Sequence, residues 1–236
     1  MQWFEDDAFG KAFYPHIFSN ARFSAASGEI DRVLALTDVT RGAVLDLCCG
    51  PGRHSVALAQ KGFQVTGVDR SPFLLTKARE LAAGTEVELV ETDMRDFVRP
   101  DAFDLALSLF TSFGYFETRE QDLGVLRNVR ASLRKDGVFL IDLMGTEVLA
   151  SRPCRTRGEE LSSGEIYVQH SQILPGWLRV RSQWLLVKAS QSLKFDFEHN
   201  LYSARNLWAY WTGPGSPMSS FSEVWMVHPT IRRLRG

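Results

Sequence analysis

The stretch VLDLCCGPGRHSVALAQKGFQVTGVDRS, residues 44–71, decides the fold of this 236-residue chain. An apolar run predicts a buried β-strand. The chain then turns at Gly50 and Gly52, continues as a helix, and returns in a second strand that ends at Asp69. Glycines at such a turn let the backbone approach a ligand closely, and an acid at the end of the second strand can accept hydrogen bonds from ribose hydroxyls. The stretch therefore predicts a βαβ unit that binds a nucleoside.

The same alternation of apolar runs and helical stretches continues toward the carboxyl terminus. Strands are predicted over 43–48, 63–69, 86–91, 103–110 and 137–144, and helices over about 53–61, from 72 to a stop at Gly84, and over 119–134. Two further helices are expected within 8–38, ahead of the sheet. The order predicts an α/β fold: a Rossmann-like, mostly parallel sheet with helices on both faces.

Beyond about residue 150 the pattern changes to consecutive strands joined by short turns. The segments IYVQHSQIL, WLRVRSQWLLVK and LKFDFEH predict a small antiparallel β insertion of three strands. Its aromatic side chains are expected on one face: Tyr167, Trp177, Trp184, Phe195 and Phe197. The predicted regions are N-terminal helices over the ligand site (1–40), a Rossmann-like binding core (41–150), an antiparallel lid or insertion (151–200), and an atypical C-terminal segment (201–236).

The composition argues against several classes of function. The formal net charge is −1 and the sequence pI is about 6.5, so no strong positive field points to nucleic acid or a membrane surface. The cysteines show no CxxC spacing and the histidines form no ligand pair, so no metal is expected. The amino terminus lacks the pattern of a signal peptide, and no apolar run is long enough to span a bilayer. We expect a cytoplasmic protein without a membrane partner.

Two ligand classes compete for the βαβ unit. A dinucleotide needs the amino end of the helix for its pyrophosphate, and its fingerprint places a third glycine or alanine where this chain has Ser55. Asp46, four residues before Gly50, would repel a pyrophosphate and can face the ammonium group of a cationic ligand. These features favour a cationic nucleoside, and an NAD-dependent oxidoreductase is kept as the alternative.

The segment resembles motif I of the class I, Rossmann-like, S-adenosylmethionine (SAM)-dependent methyltransferases, and the likeness extends from about residue 40 to 145. Cys48 stands where the first glycine of that motif usually lies. The resemblance implies SAM as cofactor, S-adenosylhomocysteine as product, and no metal. It assigns ribose to Asp69, the adenine amino group to Asp93 and the adenine ring to Met94. The full implied cofactor-binding set is Asp46, Cys49, Gly50, Gly52, Asp69, Arg70, Asp93, Met94 and Leu109.

The acceptor side is less defined by sequence. The loop after the fourth strand is implied to line the methyl-transfer site through Phe110, Phe113 and Tyr115. His199 and Tyr202 are candidates for a general base or orienting group, which is needed only if the acceptor must lose a proton. The insertion resembles the lid of methyltransferases of small molecules and peptides, so a small-molecule acceptor is expected.

Other interpretations stay open. An RNA methyltransferase would rest on the basic cluster Arg152, Arg155, Arg157, Arg179 and Arg181, although nucleic acid is not the expected partner. A SAM-binding protein without turnover is a third alternative, and a homodimer is left open as the assembly. The acceptor molecule and its reacting atom are not identified.

The segment after about Leu207 departs from the ending of the resembled family, in which a helix, a strand and an antiparallel partner strand complete the sheet. We hypothesise a frameshift in the coding sequence near Leu207, because the neighbouring reading frame, with permissive third bases, gives a helix, a glycine stop, a strand and a turn. The last two strands of the fold are therefore expected to be missing or altered. An exposed sheet edge would then favour association.

Overall fold

Two β-sheets organise the computed structural model, which describes residues 3–5, 7–151, 156–161, 164–188, 191–212 and, as backbone, 224–226. The six-stranded core sheet contains β1 (Ala43–Leu47), β2 (Gln64–Asp69), β3 (Val87–Glu91), β4 (Phe103–Ser108), β5 (Leu133–Ile141) and β10 (Val224–Met226). Its order is β10-β5-β4-β1-β2-β3, and every pair is parallel. This confirms the predicted Rossmann-like parallel sheet.

The helices follow the predicted order. They are α1 (Asp7–Ile17), α2 (Asn20–Thr37), α3 (Arg53–Gln60), α4 (Pro72–Leu81), α5 (Arg119–Ser132), α6 (Thr146–Ser151) and α7 (Ala204–Thr212). Local chemistry sets two of their starts: the Ser71 hydroxyl accepts a hydrogen bond from the Leu74 amide ahead of α4, and Thr118 forms a capping box with Gln121 at α5. The short helix α6 was not predicted.

Both faces of the core sheet are covered by helices. On one face Val44, Leu105 and Leu140 pack with Ile30 of α2 and Leu58 of α3. On the other face Leu45, Ala106 and Phe139 pack with Val125 of α5 and Trp208 of α7. Alternate residues of one strand enter opposite cores, which is why these strands read as nearly continuous apolar runs.

A separate four-stranded antiparallel sheet contains β6 (Arg157–Glu160), β7 (Ile166–Ile173), β8 (Arg179–Lys188) and β9 (Gln191–Asn200). The three predicted strands are present, and the polar segment β6 adds a fourth because it pairs in register with β7. Trp177 does not share the aromatic face. It lies in a short 3-10 helix at the turn before β8, with 47% of its surface exposed.

The chain after α7 differs from the expected bare sheet edge. Within the described residues, β10 pairs with β5, with Val224 opposite Phe139 and Met226 opposite Ile141. The sequence predicts that the last two strands are missing or altered. One short strand, parallel to β5, covers this edge, so the edge is not bare over the described residues 224–226. The remaining residues after Thr212 lie outside the described part of the chain. The frameshift stays a prediction about the gene.

Among the described residues, no helix is both long and apolar enough to cross a bilayer.

Candidate functional site

A cavity of about 290 Å³ lies at the carboxyl ends of the central core strands. In the strand order β4-β1-β2, the chain winds in opposite directions from β1, and α/β proteins bind ligands at this switch point. We call one wall the floor, made by Cys48, Gly50, Asp69, Arg70, Asp93 and Met94 from the loops after β1, β2 and β3. We call the opposite wall the aromatic cover, made by Phe9, Tyr115, Trp184 and Phe197.

The turn after β1 forms the centre of the floor. Cys48, Gly50 and Gly52 have φ angles of +60°, +56° and +78°, so the turn is left-handed at three positions. Cys48 therefore adopts a conformation that glycine takes without strain, at the position where the resembled motif has glycine. A Cβ on Gly50 would lie 3.4 Å from the Phe18 ring, so a side chain there would also crowd the wall contributed by Phe18.

Asp69 ties this turn to the end of β2. Its Oδ2 accepts a hydrogen bond from the Gly50 amide at 2.8 Å, and its Oδ1 accepts one from the Ser71 amide at 2.9 Å. Burial raises the pKa of the Asp69 carboxyl, while these backbone donors counteract the rise. Each carboxylate oxygen has a further lone pair, so Asp69 can hold the loop and still accept ribose hydroxyls at the cavity wall.

Asp93 is fixed at the far end of the floor by arginines. Arg95 donates to both of its carboxylate oxygens at 2.9 Å, and Arg70 adds a hydrogen bond of 3.3 Å. Burial alone would raise the pKa of Asp93, but the hydrogen bonds from Arg95 outweigh it, and the pKa is lowered. Next to it, the Met94 sulfur lies 3.6 Å from the Cys48 sulfur. This end of the floor is therefore rigid.

The loop after β4 is strained and pinned. Phe110 and Thr111 have φ angles of +59° and +56°, a region that costs non-glycine residues energy. The Phe110 amide donates to Asp142 Oδ2 at 3.1 Å and the Thr111 amide donates to the Asp142 carbonyl at 3.0 Å. The Arg53 guanidinium lies 4.2 Å from the centre of the Phe110 ring. Burial raises the pKa of Asp142 to about 6.

The aromatic cover joins α1 to the antiparallel sheet. The Phe9 ring centre lies 5.4 Å from that of Trp184 and 6.0 Å from that of Phe197, and Tyr115 lies 6.0 Å from Phe197. Trp184 Nε1 is buried without a hydrogen-bond partner among the described residues. The cover is therefore a surface of packed aromatic rings, contributed by three segments that lie far apart in the sequence.

Several residues of the implied cofactor set line the cavity and others do not. Gly50, Asp69, Arg70, Asp93 and Met94 are brought together at it, as are Phe110 and Tyr115. The residues that do not line it are Asp46, Cys49, Gly52, Leu109 and Phe113.

Each of these corrections has a packing reason. Asp46 is buried beneath the turn and accepts a 2.6 Å hydrogen bond from the Ser55 hydroxyl, so it supports α3 and does not face a ligand ammonium. A Cβ on Gly52 would meet Ala78 Cβ at 3.1 Å, so this glycine serves the contact between α3 and α4. Cys49 and Leu109 are buried, and Phe113 packs on Tyr202.

The two candidate bases also lie away from the cavity. Tyr202 is buried and donates its hydroxyl proton to Asp122 Oδ2 at 2.6 Å. His199 packs against Tyr115 with ring centres 5.2 Å apart, and neither of its ring nitrogens has a partner among the described residues. Burial, followed by the nearby Arg179, lowers the pKa of His199 to about 4. Neither side chain therefore faces an acceptor in this structure.

Sequence reasoning missed the cavity residues of the amino-terminal segment: Phe4, Asp7, Phe9, Gly10, Ile17 and Phe18. Asp7 Oδ1 accepts a 2.6 Å hydrogen bond from the Ser71 hydroxyl and so joins α1 to the floor. Phe9, Phe13 and Ile17 recur at the spacing of one helix face, which is typical of a helix buried on that side. Nothing in that spacing shows which partner the face meets.

The charges of the cavity suit a cationic nucleoside. Among the described residues, its charged lining consists of Asp7, Asp69, Asp93 and Arg70, three acids against one base. The floor also leaves room for a ligand at Gly50 and offers the Asp69 carboxylate to a ribose. These features fit SAM, which carries a sulfonium charge and a ribose. Among the described residues, no group of three metal-ligating side chains gathers.

Two of the five arginines named for an RNA partner share one acid. Arg179 and Arg181 both pair with Glu198, at 3.4 and 2.7 Å. Arg157 is exposed at the edge strand β6. Arg152 and Arg155 lie outside the described residues.

Comparison with protein families matches residues 44–137 to a methyltransferase domain. The cypemycin N-terminal methyltransferase of a Streptomyces species is 33% identical over 123 residues, which cover 52% of this chain and 50% of the relative. The glycine/sarcosine N-methyltransferase of Aphanothece halophytica is 33% identical over 103 residues, 42% of this chain and 39% of the relative. The chain thus spans about half the length, or less, of these curated relatives.

Solved structures extend the likeness to the whole architecture. An S-adenosylmethionine-dependent methyltransferase from Clostridium acetobutylicum superposes with a TM-score of 0.68 and 18% identity, over 87% of this chain and 85% of that one. SAM-bound CalS10, an amino pentose methyltransferase from Micromonospora echinaspora, gives 0.65 and 22% identity, over 86% and 85%. Residues 44–137 of the chain thus match a methyltransferase domain, and the chain shares its Rossmann-like fold with solved SAM-dependent methyltransferases.

Proposed function

We propose that this protein binds SAM in the cavity and transfers its methyl group to a small-molecule acceptor, releasing S-adenosylhomocysteine. The observation that carries the proposal is the floor itself: the Asp69 carboxylate and the side-chain-free Gly50 meet at one wall of a cavity with an excess of acidic residues. A carboxylate held by two backbone amides is preorganised to accept the ribose hydroxyls.

The chain's own part in the reaction is positioning. SAM supplies a methyl group already made electrophilic by the sulfonium. The strained loop at Phe110 and Thr111 and the aromatic cover would hold the acceptor beside that methyl and exclude water. Arg70, Asp93 and Met94 lie at the end of the floor where the adenine would bind.

A small acceptor is supported by the size of the enclosed space. Sites for small molecules generally have volumes of about 300 to 1,000 Å³, and this cavity lies near the lower limit at about 290 Å³. The relatives named as glycine/sarcosine and amino-sugar methyltransferases also act on small molecules. The free thiols of Cys48 and Cys49 support a reducing location, and we propose the cytoplasm.

Isothermal titration calorimetry with SAM and S-adenosylhomocysteine tests the cofactor assignment. Asp69→Ala is expected to weaken both by about 2–3 kcal/mol, because two hydrogen bonds to a carboxylate are lost. Asp96→Ala is the matched control, since this acid lies on the same face of the chain near Asp93 but does not line the cavity; it should bind as wild type. Unchanged affinity in Asp69→Ala would remove that residue from the site.

A thermal-shift comparison separates the alternatives. Stabilisation by SAM and none by NAD is the expected result. Stabilisation by NAD alone would favour a dinucleotide enzyme. SAM binding with no labelled methyl transferred to any member of a broad set of small amines, alcohols and RNA would favour a SAM-binding protein without turnover.

A further inference from the structure

The walls of the cavity differ in chemistry, and this difference bears on the acceptor. The charged lining residues Asp69, Arg70 and Asp93 belong to the floor, and Asp7 is hydrogen-bonded to Ser71 beside it. The opposite side presents Phe9, Ile17, Tyr115, Trp184 and Phe197. An acceptor that approaches from this side therefore meets aromatic rings.

Arg70 is the single cationic side chain among the described residues that line the cavity. Its guanidinium is engaged by Asp93 at 3.3 Å and Glu5 at 3.8 Å, and it lies over the Phe4 ring at 5.2 Å. His199 is neutral near pH 7, because its pKa is lowered to about 4. Arg22 and Arg53 lie over the Phe110 ring at 5.4 and 4.2 Å, but neither lines the cavity, and Arg53 is paired with Glu29. A carboxylate or phosphate bound against the cover would thus contact no cationic side chain among the described lining residues, and such a desolvated charge is unfavourable.

Among the described residues that line the cavity, none on the side of the aromatic cover is placed to accept a proton. Both nitrogens of His199 are buried behind Tyr115, and burial raises the pKa of the Tyr115 hydroxyl. An alcohol would need a base to become a good nucleophile. A neutral amine already carries its lone pair, and aromatic faces attract the positive charge that develops on its nitrogen.

Resting on the proposed function, we infer that the acceptor is an apolar amine without an acidic group. The ammonium form of the acceptor first loses a proton to solvent, and the lone pair that this frees on nitrogen then forms the new bond to the methyl carbon. The carbon–sulfur bond breaks with its electron pair left on sulfur. The nitrogen becomes positively charged, and its proton passes to solvent when the product leaves. Acceptors that carry a carboxylate or a diphosphate are excluded by the uncharged cover.

Three probes of equal ring size test this inference on the full chain saturated with S-adenosylhomocysteine: benzylamine, benzyl alcohol and benzoate. Ligand-observed NMR measures their dissociation constants. Benzylamine, which is protonated near pH 7, is expected to bind at least about tenfold more tightly than benzoate, because the aromatic rings of the cover attract a positive charge whereas the negative charge of benzoate would be uncompensated. With SAM, mass spectrometry should detect N-methylbenzylamine and no methyl ether. A smaller ratio, no detectable benzylamine binding, or a methyl ether as main product would overturn the inference.

Two variants test whether the aromatic cover is the part of the cavity that binds benzylamine. Phe197→Leu removes a cover ring while keeping an apolar side chain, and should weaken benzylamine severalfold with S-adenosylhomocysteine affinity unchanged. Trp177→Leu changes an exposed ring outside the cavity and should leave benzylamine binding as in wild type. Equal weakening in both variants would contradict the assignment to the cover. The same experiment distinguishes this inference from the proposed function. If the wild-type chain does not bind S-adenosylhomocysteine, the proposed function is wrong; if it binds S-adenosylhomocysteine but not benzylamine, only this inference is wrong.

Discussion

The floor and the aromatic cover enclose the same cavity but are built in different ways. The floor comes from short loops after adjacent parallel strands, and hydrogen bonds to carboxylates fix it: the Gly50 amide donates to Asp69, and Arg95 donates to Asp93. The cover comes from α1, the loop near Tyr115 and two strands of the second sheet, and ring packing holds it. Directional hydrogen bonds therefore position the floor, where we propose that the cofactor binds, whereas apolar packing shapes the cover, where we propose that the acceptor binds.

The junction between the two regions should be the most sensitive point. Asp122 of α5 is fully buried and accepts hydrogen bonds from Asn200 Nδ2 at 2.7 Å and from the Tyr202 hydroxyl at 2.6 Å. Asp122→Ala leaves the buried Tyr202 hydroxyl without its acceptor and leaves Asn200 Nδ2 only the Phe116 carbonyl, and we expect a loss of about 3 kcal/mol in the free energy of unfolding. Urea denaturation measures it. Asp196→Ala, at an exposed acid on β9, should cost under about 1 kcal/mol; similar losses would show that Asp122 is not the junction.

Low pH should reduce the stability of the folded chain through His199, which packs behind Tyr115 of the cover. The pKa of this side chain is about 4 in the folded chain, below the ordinary 6.5, so the unfolded chain takes up the proton first as the pH falls. Stability is therefore lost progressively from about pH 6.5 to about pH 4, by up to about 3 kcal/mol.

His199→Leu should flatten this part of the stability–pH curve, measured by urea denaturation at steps between pH 7 and pH 4. The exposed His170 on β7 provides the control, and His170→Leu should leave the slope unchanged. A His199→Leu variant as acid-sensitive as wild type would mean that this histidine is already protonated in the folded chain.

The floor should respond to added bulk at a glycine. Gly52→Ala introduces a Cβ 3.1 Å from Ala78 Cβ at a φ of +78°, and we expect a loss of about 2 kcal/mol from strain and crowding together. Gly62→Ala has a φ of +89° with nothing within 4 Å of the added carbon, so it reports the backbone cost alone. Thermal denaturation compares them. Equal losses of stability in the two variants would show that the contact between α3 and α4 accommodates the added Cβ without a cost.

The smallest effect is expected at Cys48. Cys48→Gly relieves the strain of the left-handed backbone, which stabilises the folded chain by about 1 kcal/mol. It also removes the sulfur contact to Met94 and raises the conformational entropy of the unfolded chain, and together these two losses offset about the same amount. We therefore expect nearly unchanged stability and retained SAM affinity in calorimetry. A large loss of stability would show that the Cys48 side chain is essential to the floor.

Much of the floor was predictable because its determinants are local. The strand, the glycine turn and the acid at the end of β2 lie within residues 44–71, and their spacing placed Gly50 and Asp69 at one site. The errors arose where orientation mattered. Asp46 is close to the turn in sequence, but its carboxylate points to Ser55 under the turn. Sequence distance does not reveal which side of a strand end a side chain occupies.

The acceptor side was less predictable for a related reason. His199 and Tyr202 have the chemistry of bases, yet one packs behind Tyr115 and the other bonds to Asp122. Composition identifies a titratable group, but burial decides whether it can meet a ligand.

The sequence by itself determined the parallel sheet, the glycine turn and the acid at the end of β2, because hydrophobic periodicity and backbone conformation act over a few residues. Only the tertiary structure decided that Phe9, Tyr115, Trp184 and Phe197 form one wall, that Asp7 joins α1 to Ser71, and that Asp142 pins the strained loop. Those contacts join segments far apart in the chain. Apolar packing is non-directional, so the sequence pattern does not specify which segments will meet.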